Sequence, residues 1–178
     1  MGHKHTQERM LAGALQVALD DGLSQLTYGR VAKALDISDR TVVYYFPTKN
    51  DLITAVLMEM GVQLQERLAL AFAVKAADYI ALARAAWPVL SAPDAQPVFA
   101  LFFEAHGLAV ARRAPYNDVI PALIQAWIEW AADFVDGSDE YRRTESEAAI
   151  ALIDGLLVLS QSAGPEAATR AASRLGIL

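Results

Sequence analysis

The chain contains no cysteine. Disulfides, thiolate metal sites and cysteine nucleophiles are therefore excluded, and a reducing, cytoplasmic setting is expected. Histidine is almost as scarce, with only His3, His5 and His106. No glycine-rich phosphate loop, nucleophile elbow or His/carboxylate metal spacing occurs. No catalytic residue, metal site or cofactor is expected, and the chain reads as a non-enzyme. Long apolar runs are also missing. Hydrophobic residues make up 54% of the 178 positions, yet no uninterrupted run approaches the roughly 20 residues that span a bilayer. The N-terminal stretch is polar, and the apolar segment after it carries Gln16, Asp20 and Asp21, unlike a secretory leader. No membrane partner is expected. The apolar content is assigned to core, cavity lining and subunit interface.

Basic charge is in deficit, and the formal net charge is −6. The deficit is uneven. Up to residue 51, Lys4, Arg9, Arg30, Lys33, Arg40 and Lys49 offset Glu8, Asp20, Asp21, Asp36, Asp39 and Asp51. The front is neutral and the back holds the whole acidic excess. That argues against general nucleic-acid binding by the entire chain, but not by its front.

Alanine and leucine dominate and period-two alternation is nearly absent, so the chain reads as all-α. A first helix is predicted from about Thr6 to Asp21, with Leu11, Leu15 and Ala18 on one stripe and Gly22 as its stop. A second starts at Thr27, an N-cap, and turns Val31, Ala32 and Leu35 inward. Ser38 caps a short third helix, which ends where Pro47 pushes Phe46 out of helical geometry. Thr48 caps a fourth, with Asp51 at capping-box spacing, and Gly61 is a candidate bend. Further helices are predicted at about 76–91, 95–113, 117–136, 144–162 and 165–176.

Two helices joined by about three residues, the second short and polar at its start, describe a helix-turn-helix. Its second helix would enter a DNA major groove. Arg40 suits guanine or a phosphate, and Thr41 suits either. Val42 or Val43, whichever faces outward, suits a thymine methyl. Tyr44 and Tyr45 offer hydroxyl tips for phosphate oxygens. Lys49 lies at a helix start that favours anions. Asp39 would be repelled by phosphate unless it accepts from a cytosine amine. The His3-Lys4-His5 tail reads as an arm toward the DNA backbone.

The stretch TYGRVAKALDISDRTVVYYFPTKNDL, residues 27–52, resembles the DNA-binding signature of TetR-family transcriptional regulators. The matching positions are Thr27, Val31-Ala32, Ile37-Ser38, Thr41, Tyr45-Phe46 and Lys49-x-x-Leu52. Two positions depart from the pattern. Asp36 stands where the family usually has a turn glycine, and Asp tolerates left-handed geometry. Val43 stands where the family favours a tyrosine and cannot donate a hydrogen bond. The expected DNA-contacting set is Thr27, Ser38, Asp39, Arg40, Thr41, Val43, Tyr44, Tyr45 and Lys49.

The resemblance implies a three-helix DNA-binding domain over residues 1–50 and a helical ligand-binding and dimerisation domain over 51–178. It also implies a homodimer on a palindromic double-stranded operator, released by a small, mainly apolar ligand. Bulky aromatics around one polar group describe an apolar pocket with an orienting handle. Trp87, Phe99, Phe103 and Trp127 are the expected walls and His106 the handle. Leu152, Gly155 and Leu159 share a stripe on one helix. With Leu156, and with Ile124 and Ile128 of the helix before, they form the expected dimer interface. Val43 and Asp39 keep open an alternative, a helical ligand-binding or scaffold protein whose helix-turn-helix does not bind DNA.

Overall fold

The computed structural model describes residues 6–178. The expectations for His3, Lys4 and His5 fall outside the described residues. The helices are α1 (Gln7–Asp21), α2 (Tyr28–Leu35), α3 (Asp39–Tyr45), α4 (Lys49–Ala69), α5 (Tyr79–Leu90), α6 (Gln96–Val110), α7 (Tyr116–Ala132), α8 (Asp139–Ala163) and α9 (Pro165–Arg174). Short 3-10 turns at Leu23–Gln25 and Pro93–Ala95 complete the regular structure. Among the described residues there is no strand, as the missing alternation required.

The chain forms two compact units. One holds the described residues up to Gln63 together with Ala100–Pro121, and the other holds Leu64–Phe99 with Ala122–Leu178. In the first, α1 buries Met10, Ala14, Leu15, Val17 and Ala18. Thr6 caps it by accepting from the Arg9 N–H, and Gly22 ends it at φ +86°. A Cβ at Gly13 would fall 2.8 Å from the Leu35 side chain, so α1 and α2 pack backbone to side chain there. The α4 helix runs through Gly61 without interruption.

The second unit is seated on Leu82, Ala131, Val135 and Ala149, with Phe72, Trp130 and Phe134 packed against them. Its helices differ most from the predicted bounds at three ends. The predicted helix from 76 begins only at Tyr79, because Asp78 caps it and Ala76 pairs in extended form with the chain after α7. The Ala76 N–H donates to Phe134 O at 2.7 Å, and the Asp136 N–H donates to Ala76 O at 2.9 Å. That pairing also ends α7 four residues before the predicted 136. The α8 helix starts at Asp139, not 144, because Ser138 accepts from the Tyr141 N–H as an N-cap. By length and composition α8 is apolar enough to cross a membrane, although it carries Asp154 at its middle.

Candidate nucleic-acid interface

The geometry of the turn between α2 and α3 follows from its sequence. Asp36 adopts φ 54° and ψ 53°, the left-handed conformation. Its N–H bonds Lys33 O, and the Ile37 N–H bonds Ala32 O at 3.0 Å. Those two bonds make a Schellman closure with aspartate in the usual glycine place. Thr27 opens α2 by accepting from the Arg30 N–H at 3.3 Å. Its hydroxyl therefore has a structural duty besides any contact with a partner.

The third helix has two faces. Val42 is fully buried and Phe46, just after it, is 2% exposed. The Tyr28 hydroxyl donates to Phe46 O at 3.0 Å, tying the start of α2 to the end of α3. On the other face, Asp39 and Arg40 are exposed, Thr41 is half-buried, Val43 is 39% exposed and Tyr44 is 79% exposed. Tyr45 is half-buried, with its ring edge-on to Tyr44 at 5.1 Å. The choice between Val42 and Val43 is thus resolved by packing: Val43 faces out.

Ser38 begins α3, but its side chain bonds no backbone N–H. Its hydroxyl instead lies 3.0 Å from the Thr41 hydroxyl. The expected side-chain cap is replaced by a hydroxyl pair, because Thr41 stands one turn on and offers a nearer partner. Asp39 reaches back toward α2, its Oδ2 3.6 Å from where a Cβ on Gly29 would sit. There it lies at the positive, N-terminal end of the α2 dipole.

The box at the start of α4 forms fully with aspartate in it. The Thr48 N–H donates to Asp51 Oδ2 at 2.9 Å, and the Asp51 N–H donates to Thr48 Oγ1 at 3.1 Å. Asp51 already supplies negative charge at this helix end, and Lys49 in the same first turn is exposed.

The remaining predicted residues are placed as follows. Phe103 and His106 are half-buried in the first unit. His106 lies edge-on to Phe102 at 5.1 Å, and its Nδ1 is buried without a hydrogen-bond partner. In the second unit, Trp87 and Phe99 are buried and Trp127 is half-buried. Trp127 meets Trp130 at 5.3 Å, and Trp130, Phe72 and Phe134 touch one another. Sequence reasoning missed Phe72 as a member of this group. Ile128 and Leu156 are buried within the chain, Ile124, Leu152 and Leu159 are half-buried, and Gly155 is exposed. Among the described residues no group of three or more His, Asp or Glu side chains could hold a metal.

Residues 10–56 match the family of bacterial regulatory proteins called tetR. The chain carries a TetR-family helix-turn-helix domain. Solved structures match along nearly its whole length. A transcriptional regulator from Rhodococcus sp. RHA1 is 21% identical, with 97% of this chain and 94% of that one covered and a TM-score of 0.73. A TetR transcriptional regulator from Legionella pneumophila is 18% identical, with coverage of 98% and 97% and a TM-score of 0.68. The multidrug-binding protein EbrR, in complex with imidazole, is 22% identical, with coverage of 97% and 96% and a TM-score of 0.69. These likenesses extend the TetR fold beyond the first domain to the helices that follow. A search of the curated proteins returns no match.

Proposed function

We propose that the chain is a cytoplasmic, homodimeric repressor that leaves a palindromic operator when a small, mainly apolar ligand binds. The observation that carries this reading is the division of α3. Val42 and Phe46 seat it, while Arg40, Val43 and Tyr44 stay in solvent. A helix held on one side and polar on the other suits entry into a major groove. Arg40 reads a base edge, Lys49 and the tyrosine hydroxyls hold the backbone, and Val43 meets a thymine methyl. Thr27 and Ser38 shape the turn at the DNA, and Thr41 makes the remaining polar contact.

Selection of bound sequences from a random DNA pool tests this reading, and recovery of no preferred sequence would end it. On the selected site, Arg40→Ala is expected to relax base preference at one position, with a loss of ~1–3 kcal/mol there. Lys49→Ala should weaken all sequences alike and flatten the salt dependence. If both variants weaken every sequence equally, Arg40 contacts only phosphate.

The ligand reading is supported by aromatic rings that folding leaves half-exposed: Trp127 and Trp130 in the second unit and, separately, Phe103 in the first. The unpartnered His106 Nδ1 supplies a polar atom for a ligand to satisfy. EbrR, of like fold, holds imidazole, which is small and aromatic.

The dimer reading rests on α8. Within the chain nothing lies within 4 Å of a Cβ placed on Gly155. Beside it Val158 is 46% exposed, and Leu152 and Leu159 are half-buried. A helix-interior glycine costs about 1 kcal/mol against alanine, which close approach of a second copy would offset. Gly155→Leu fits the isolated protomer and should shift sedimentation toward the monomer. An unchanged dimer would place the interface elsewhere.

A further inference from the structure

The corner between α1 and α2 is held from a distance in sequence. The 3-10 turn Leu23–Gln25 begins with N–H groups that have no partner within the turn itself. The Leu23 N–H donates to Glu104 Oε2 at 2.9 Å, and the Ser24 N–H donates to Glu104 Oε1 at 3.1 Å. Each carboxylate oxygen thus takes one of two consecutive donors. Gly22 makes room for this. It sits at φ +86°, and a Cβ there would come within 3.1 Å of Glu104 Oε2.

Both partners are firmly seated in the first unit. Leu23 and Leu26 are buried on the corner, and Leu101 and Ala105 are buried on α6. The Tyr116 phenol at the start of α7 is pushed up in pKa by burial and then by the Glu104 charge. Phe102 and His106 stand two residues to either side of Glu104. At about 100° per residue they project from a different face of α6 than Glu104 does. One helix therefore carries a carboxylate fixed to the α1–α2 corner and, on another face, an imidazole with an unpartnered nitrogen. Thr27 follows the corner directly and opens the helix-turn-helix.

We propose that Glu104 is a positioning residue through which displacement of α6 is passed to the helix-turn-helix by way of the α1–α2 corner. The inference rests on the ligand-responsive DNA-binding reading for its purpose, but not for its test. Two charge-assisted hydrogen bonds to adjacent peptides make a stiff joint. A shift of α6 must either carry the corner along or break both bonds and leave a charge poorly paired. Carrying the corner along is the lower-cost path, because breaking the joint would strip the carboxylate of both N–H donors.

The test is a double-mutant cycle in the full chain. His106→Leu perturbs α6 on the face away from the corner. Its effect on affinity for the selected DNA site, at fixed salt, is compared in the native and Glu104→Ala backgrounds. Glu104→Gln, which keeps the shape but one fewer acceptor, serves if the alanine variant does not fold. Glu104→Ala alone should speed amide exchange at Leu23 and Ser24 at least tenfold. His106→Leu should change affinity at least fivefold in the native background and less than twofold without Glu104. An equal change in both backgrounds, or no change in either, overturns the inference and leaves Glu104 a local staple. If no DNA site is selected, it is the functional reading that fails. The same cycle is then scored on amide exchange across α2 and α3, with the same deciding comparison.

Discussion

Asp154→Asn is expected to make the protein more stable at pH 8 and to leave it unchanged near pH 4. Burial alone pushes the Asp154 carboxyl up from 3.8 to about 6. No neighbouring charge or hydrogen bond contributes to that shift. The folded-state value lies above the unfolded one, so folding favours the protonated acid. Below about pH 4 both states hold the proton and nothing is lost. Between about pH 4 and 6 the unfolded chain releases its proton while the folded chain keeps it, and stability falls as pH rises. Above about 6 the full penalty remains. At ~1.4 kcal/mol per unit, a shift of roughly two units corresponds to ~3 kcal/mol. Asparagine keeps the shape without the charge. Urea unfolding of both forms at pH 4, 6 and 8 checks this: the gain should grow with pH and level off. A gain that is the same at every pH would mean that the carboxylate is solvated in the native state.

The second large effect separates folding from recognition on one short helix. Phe46→Ala is expected to cost ~3–5 kcal/mol, because the ring is buried and its removal leaves a cavity under α3. Tyr44→Ala, two residues earlier and mostly in solvent, should cost under about 1 kcal/mol, mainly its edge-on contact with Tyr45. Its DNA affinity should nonetheless fall on the selected site while its unfolding midpoint barely moves. Denaturant unfolding and fluorescence anisotropy on the same samples measure the two effects. Equal destabilisation by both substitutions would show that Tyr44 serves packing and not recognition.

Most helix starts and stops were legible because their signals are local. Thr6, Thr27 and Thr48 accept from N–H groups three residues on, and Gly22 and Asp36 take left-handed or related conformations at helix ends. Those interactions need only neighbours in sequence, so sequence spacing reveals them. The misplaced start of α5 and end of α7 have a non-local cause. Ala76 leaves helical geometry to pair with residues near Val135, about sixty positions away. The start of α8 was legible in principle, since Ser138 precedes Asp139 and Glu140 in a good N-terminal pattern. The predicted start at 144 followed apolar periodicity, which the polar first turns of α8 lack.

The candidate interface was legible as a set of residues but not as a surface. Sequence spacing left Val42 and Val43 interchangeable, and only packing against α1 and α2 decides which is hidden. It also gave Ser38 a backbone cap, although the hydroxyl of Thr41 lies closer. Glu104 had no sequence signal at all, since its partners stand 81 and 80 residues away. Glu104 and His106 stand two residues apart, so they do not share a helix face.

The extended pairing at Ala76 divides the segment between α4 and α5 into parts that bear length changes differently. Leu70 and Val74 are almost wholly in solvent, so extra residues inserted there would merely lengthen a surface excursion. One residue added between Ala76 and Asp78 would instead either slip the two backbone hydrogen bonds at Ala76 or displace the capped start of α5 relative to them. Nine residues separate α4 from α5, but the freedom of that connection is confined to its first half.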